Sequence, residues 1–359
     1  MQDNAMSKWL SPLMAFCLSF IIIATLAPIT GIQIDRQLDF WMLWLATMLI
    51  LALPVCYLEI ALAKRSKTTP LQALSTLTRE ADASQKWRIV GWLSVIFIPF
   101  LAGAMLNNAS NVLAVAAIDL APNLLFIGLA IVALALSLLP RQILLAVTTI
   151  GILASLVLAN VMGTALPAWQ VTPVEFSEWG NATVLALVAS GLGMGLYWQS
   201  SLSAVQQQDV ASKTVLPIWI AQLVAVIAFA FFAIQAQIPA FTLVVAMVAA
   251  AALILQMARE QLQQRQLHRA IQWAIVAAVT LIWAIPNLSP IFNVVLLVWG
   301  LLICLIYALF AGWIMKISHL RKSMNFSSEA FYNIWRIAVR VVLPVGIILA
   351  IIAVLGQFV

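Results

Sequence analysis

One carboxylate stands in an apolar setting where carboxylates are costly: Glu59, within the run LPVCYLEIALA. An acid inside a bilayer is unfavourable unless paired or neutral, which makes it a functional candidate by default. The chemistry open to it is carrying a proton or holding a cation; the competing reading is a brace that accepts backbone N–H groups from a broken first helix. Two other apolar runs carry residues that interrupt helices. FIIIATLAPITG contains Pro28 and Gly31, and ALVASGLGMGLYW contains Gly191, Gly193 and Gly195 at alternate positions. Unwinding at such points frees carbonyls and half-helix ends to bind a solute or an ion. Neutral polar groups gather in two runs, as Asn107, Asn108, Ser110 and Asn111, and as Ser190, Tyr197, Gln199, Ser200, Ser201 and Ser203. Such side chains contact a solute or bond neighbouring helices. No catalytic set is visible: the chain lacks G-x-S-x-G, H-E-x-x-H and a P-loop. His268 and His319 stand apart from acidic clusters, and Cys17, Cys56 and Cys304 have no C-x-x-C spacing and read as packing residues. No enzyme activity, metal or cofactor is expected.

The elements that must position these groups follow from composition. Of 359 residues, 64% are hydrophobic and 8% charged, against roughly 45–50% and about 25% in soluble chains. Lipid is therefore the expected solvent, in a bacterial inner membrane, and nucleic-acid binding is not expected despite a net charge of +6. Apolar runs bounded by charge, Pro or Asn fall at 9–32, 41–63, 88–117, 123–139, 142–161, 183–206, 214–236, 240–258, 270–286, 291–315 and 337–356. Each must be helical, because in lipid only a helix satisfies its own backbone. With the N-terminus inside and the C-terminus outside, all of the 18 Lys and Arg residues but Arg36 fall on the cytoplasmic side. Asp35, Asp39, Asp119, Glu175 and Glu178 fall on the other. Met1 to Trp9 lacks the features of a cleaved leader, so the first run is expected to remain as a helix. The inner loop contains a short helix around LQALSTLTREA, Trp169 and Trp179 are expected at the headgroups, and QMAREQLQQRQLHR reads as a helix end running into the cytosol.

The second broken run comes five spans after the first. Paired Gly/Pro interruptions in two five-helix halves point to an inverted-repeat transporter with its site where both helices unwind. The repeats are expected over 1–161 and 162–315, with 316–359 supplying an inner loop and a last helix.

Several stretches resemble the neurotransmitter:sodium symporter family. LPVCYLEIALAKRSKTTPLQAL (53–74) resembles the end of its second helix and first inner loop, and WRIVGWLSVIF (87–97) the start of its third helix. LILQMAREQLQQRQLHRAIQWAI (253–275) resembles its eighth and ninth helices, and FYNIWRIAVRVVLPVGIILAII (331–352) its eleventh. Gly193, Met194 and Gly195 sit where the family has a Gly-aromatic-Gly break. The resemblance implies an all-α integral membrane protein of eleven helices in a 5+5 inverted repeat, with helices 1 and 6 discontinuous. It places the unwound segment of helix 1 on Thr25, Leu26, Ala27 and Pro28; a solute is expected against Thr25, Ala27, Pro28, Gly193, Met194 and Gly195, with Asn107, Asn108 and Ser190 as polar groups able to hydrogen-bond it. Departures bear on coupling. A sodium-binding Asn becomes Pro28, the outer-gate Arg becomes Gly31 with its partner near Pro290 or Ile291, a substrate-contacting Tyr becomes Leu106, and a sodium-binding Ser/Thr pair becomes Val245 and Ala246. Each replacement removes a polar group, which argues against sodium coupling and leaves a proton on Glu59 as the other option. The expected function is secondary transport of a small organic solute, an amino acid or related amine. The alternative is a transport-inactive sensor, scaffold or partner subunit bound to another membrane protein.

Overall fold

A computed structural model of the chain describes residues 2–30, 38–116, 120–162, 169–191, 193–208, 210–230, 240–315, 317–326 and 328–358. Gly31, Asp35, Arg36, Asp119 and Lys316, on which parts of the gate and charge arguments rest, lie outside the described residues. The described helices are α1 Gln2–Leu26, α2 Leu38–Ser66, α3 Pro70–Glu80, α4 Gln85–Ala116, α5 Pro122–Leu136, α6 Arg141–Met162 and α7 Phe176–Ala189. They continue as α8 Leu202–Gln207, α9 Ser212–Ala228, α10 Ala240–Gln264, α11 Arg269–Ala284, α12 Ser289–Ile314, α13 Ser318–Met324 and α14 Glu329–Gly356. Seven of these (α1, α2, α4, α6, α10, α12 and α14) are long and apolar enough to cross a membrane, while α5, α9 and α11 are apolar but shorter. The run at 183–206 is divided between α7 and α8. The short inner-loop helix expected around LQALSTLTREA is α3, and Pro70 opens it at a position where a missing N–H costs nothing.

The helices α1, α4 and α10 are the most enclosed of the seven long ones. Lipid tails are as apolar as Leu, so helix association depends on close packing at small residues. Ala246 of α10 lies against Gly151 of α6, where a Cβ on the glycine would come within 2.9 Å of the alanine methyl. Gly103 of α4 faces Trp283 of α11, whose indole donates to the Phe100 carbonyl at 3.0 Å and cannot swing away without losing that bond. A Cβ at Gly103 would stand 2.3 Å from Trp283 Cδ1 and 2.8 Å from the Thr280 carbonyl. Gly103→Ala is therefore expected to lose about 1–3 kcal/mol by overpacking, read as a lower unfolding temperature in detergent. An unchanged temperature would mean α4 and α11 are not this close.

Three helices contain a π turn: Met48–Ala52 in α2, Phe310–Ile314 in α12 and Ala338–Val342 in α14. Tryptophan N–H groups bond carbonyls in or beside two of them, Trp219 to Met48 at 2.9 Å, Trp335 to Pro54 at 3.2 Å and Trp313 to Arg340 at 3.0 Å. Indole donors thus satisfy carbonyls that water would otherwise have to reach. Trp179, expected at the headgroups, is half-buried and donates to the Gly346 carbonyl at 3.3 Å, tying α7 to α14.

Candidate functional site

The glycine-rich break follows directly from local geometry. Helix α7 opens on a capping box between Glu175 and Glu178 and ends at Ala189. Gly191, Gly193 and Gly195 then adopt φ of 65°, 76° and 73°, a region that costs any other residue roughly 1–2 kcal/mol. Alternate glycines let the chain leave the helix and turn through Trp198 into Gln199–Ser201 and α8.

Several freed polar groups of the break find partners on other helices. The Gly195 N–H donates to Glu59 Oε1 at 3.1 Å, and Glu59 is only 4% exposed. On the opposite side, Gln261 Nε2 of α10 donates to the Met194 carbonyl at 2.6 Å and to Gln199 Oε1 at 2.9 Å. Gln199 Nε2 reaches Glu260 Oε2 at 3.2 Å, and Glu260 is ion-paired with Arg141 of α6. From α1, Ser19 Oγ donates to the Ala189 carbonyl at 3.3 Å, and Ser11 and Ser201 are hydrogen-bonded to each other. The break is thus clamped by a carboxyl on its N–H side and an amide on its C=O side.

This geometry weighs on the roles open to Glu59. Its partner here is a donor, and none of the ion pairs among the described residues includes it. A hard cation needs several oxygen ligands, and an N–H offers none. Among the described residues no group of three His, Cys, Asp or Glu side chains gathers to hold a metal.

The residues expected to meet a solute fall at two levels. Ser190 is buried and its Oγ donates to the Leu187 carbonyl at 2.6 Å; Gly193, Met194 and Gly195 form the break itself. Thr25 is buried in the last turn of α1 with Oγ1 on the Ile21 carbonyl at 2.8 Å, and Ala27 and Pro28 lie in the turn that follows, Pro28 exposed. Asn107 and Asn108 are half-buried, and Asn108 Nδ2 donates to the Ala24 carbonyl at 3.1 Å. Among the described residues no hydrogen bond joins Thr25, Ala27 or Pro28 to the segment from Ser190 to Gly195. Helix α1 stays wound past the break and meets it at Ser19, six residues before Thr25 and so about 9 Å away along the axis. Helix α1 ends at Leu26, just before the X-Pro pair that disfavours helix. Of the positions aligned with sodium ligands, Val245 is 51% exposed and Ala246 packs on Gly151.

Sequence reading missed Ser19 and Gln261. Within QMAREQLQQRQLHR, read as a helix end, α10 continues to Gln264 with Gln261 fully buried. The signal was there in spacing, since Gln261 falls three and four residues after Ala258 and Met257 on the same apolar face.

Among solved structures, MhsT in complex with L-phenylalanine, a neurotransmitter:sodium symporter family member, matches with a TM-score of 0.63 at 14% identity, over 96% of this chain and 98% of that one. The manganese transporter of Eremococcus coleocola, in complex with an aromatic bis-isothiourea substituted compound, matches with a TM-score of 0.55 at 11% identity, over 98% and 86%. No protein-family model and no curated protein matches the chain. At these identities the likeness carries the fold alone, an all-helical one shared with a member of the family that the sequence resembles.

Proposed function

We propose that the chain is a secondary transporter of a small organic solute, an amino acid or related amine, working by alternating access about the break between α7 and α8. The observation that carries this reading is the positive-φ glycine segment held by Glu59 and Gln261, on a fold shared with two transporters. A scaffold needs no interrupted helix, whereas a moving part needs hydrogen bonds that can be exchanged. The amino acid bound by MhsT makes that class the first to test.

In this reading the chain crosses the membrane eleven times with its N-terminus inside, in repeats over 1–161 and 162–315 and a last helix within 316–359. The solute passes between an outer level at Thr25, Ala27, Pro28, Asn107 and Asn108 and an inner level at Ser190, Gly193, Met194 and Gly195. Proton coupling through Glu59 fits the residues better than sodium coupling, because the aligned sodium positions are apolar and Val245 faces outward. The test is a stability screen of amino acids and amines, with sodium or choline and at acid and neutral pH. A ligand present at a hundred times its Kd stabilises the folded state by about 2.7 kcal/mol, so a true solute raises the unfolding temperature. A folded chain that responds to no member of either class would favour the transport-inactive partner subunit.

A further inference from the structure

Two of the three π turns meet around one charged side chain. Arg340 lies within the turn Ala338–Val342 of α14, and its stem packs over Gly312 in the turn Phe310–Ile314 of α12. A Cβ on that glycine would come within 3.2 Å of Arg340 Cγ, so glycine leaves the stem the room it uses. Arg340 Cζ stands 4.4 Å from the centre of the exposed Trp313 ring, whose Nε1 donates to the Arg340 carbonyl at 3.0 Å. Single π turns recur at functional sites, and here the pair fixes the direction of a guanidinium. No anion of the protein answers that charge. Arg340 is half-buried, its Nε is buried without a hydrogen-bond partner among the described residues, and no ion pair among them includes it. One turn earlier on the same side of α14 stands Arg336, exposed and likewise outside those ion pairs. Like charges one turn apart repel, so the two call for an anion from outside. Glu329, at the start of the same helix, is already paired with Arg321.

The place of the two arginines in the bilayer identifies the anion. Helix α14 has 28 residues and is about 42 Å long at 1.5 Å per residue, against a hydrocarbon core of about 30 Å. The excess belongs to its polar start, since no charged residue follows Arg340. Arg336 thus stands at the headgroups, and Arg340 about 6 Å deeper, close enough for its long stem to bring the charge to the interface. Trp313 is the next-to-last residue of α12, so the guanidinium is held at that helix's end. We propose that Arg336 and Arg340 bind the phosphate of one anionic phospholipid, with Trp313 as the flat wall that holds the Arg340 fork toward it. A guanidinium presents paired N–H donors that match phosphate oxygens, and indoles favour the headgroup level. A lipid rather than a soluble anion follows from the flank of the site: Ile314, Ile337 and Val341 are exposed and apolar, a surface for acyl chains.

The test requires no transport. The full chain in detergent is titrated with phosphatidylglycerol or with phosphatidylcholine of the same acyl chains, and bound lipid is counted by native mass spectrometry. Phosphatidylglycerol should bind more tightly, and Arg336→Gln and Arg340→Gln should each lower that preference about five-fold, the contribution of one basic residue beside an anionic headgroup. Arg65→Gln, at an arginine already paired with Glu80, should leave it unchanged. Unfolding temperatures in phosphatidylcholine check that the variants are folded, and the exposed Arg336 can be replaced without disturbing packing. A folded Arg336→Gln or Arg340→Gln chain that keeps the wild-type preference would overturn the site, as would an equal loss in Arg65→Gln. Displacement of phosphatidylglycerol by inorganic phosphate at the lipid's own concentration would overturn it too, marking a site for soluble anions instead.

Discussion

Gly193→Ala should be among the most damaging single-methyl changes in this chain, lowering stability by roughly 2–5 kcal/mol. Two separate causes add. The residue sits at φ 76°, where a Cβ meets its own backbone, at roughly 1–2 kcal/mol. That Cβ would also stand 2.3 Å from Tyr307 Cε2 and 2.7 Å from Cζ, and overpacking of this kind costs about 1–3 kcal/mol. Tyr307→Ala in the same chain should recover the second part and leave the first, which separates steric contact from backbone strain. Gly128, within α5, is the control, since a Cβ there would meet nothing inside 4 Å. Gly128→Ala should be neutral or stabilising by up to about 1 kcal/mol. If the two alanine variants melt alike by tryptophan fluorescence in detergent, the break does not have this geometry.

The second large effect belongs to Glu59. Glu59→Leu removes the acceptor of the Gly195 N–H and leaves that donor buried without a partner, a loss of about 1–3 kcal/mol. Glu59→Gln keeps a carbonyl oxygen of nearly the same reach and should unfold within about 1 kcal/mol of wild type. The pair separates two roles that coexist at one side chain. A glutamine variant that is stable yet has lost gradient-driven flux marks the proton as the coupling species. A glutamine variant that retains full gradient dependence makes Glu59 a brace and nothing more. Equal tolerance of leucine and glutamine would remove even the brace.

Much of this architecture is legible in the sequence because the bilayer imposes hard rules. Run length and the need to satisfy every backbone group in lipid dictate helices, and seven of the eleven apolar runs fall on described helices long and apolar enough to cross a membrane. The alternate glycines at 191, 193 and 195 marked the break, because only glycine enters the left-handed region without penalty. Glu59 stood out by its cost in lipid; it does accept a backbone N–H, but from Gly195 in the second broken run and not from the first helix, where the brace reading places the donor. The level of Pro28 was less legible. A proline tells where a helix stops being comfortable, but its depth relative to another helix is a tertiary fact, and here Ser19 rather than Thr25 meets the break. Gln261 was hidden for a related reason. In a Gln-rich stretch each glutamine looks solvated, and its partner at Met194 lies 67 positions away in the chain. Ser19 is likewise one hydroxyl within an apolar run, indistinguishable locally from a residue bonded to its own helix.

The claim that this chain moves a solute is tested most directly by flux. Purified protein reconstituted in liposomes is offered labelled amino acids and amines under an imposed proton gradient, an imposed sodium gradient, or neither. The predicted result is saturable uptake of at least one solute, enhanced by the proton gradient and indifferent to sodium, and lost in Gly193→Ala. Folded protein in sealed liposomes that takes up none of these solutes under any gradient would contradict the claim.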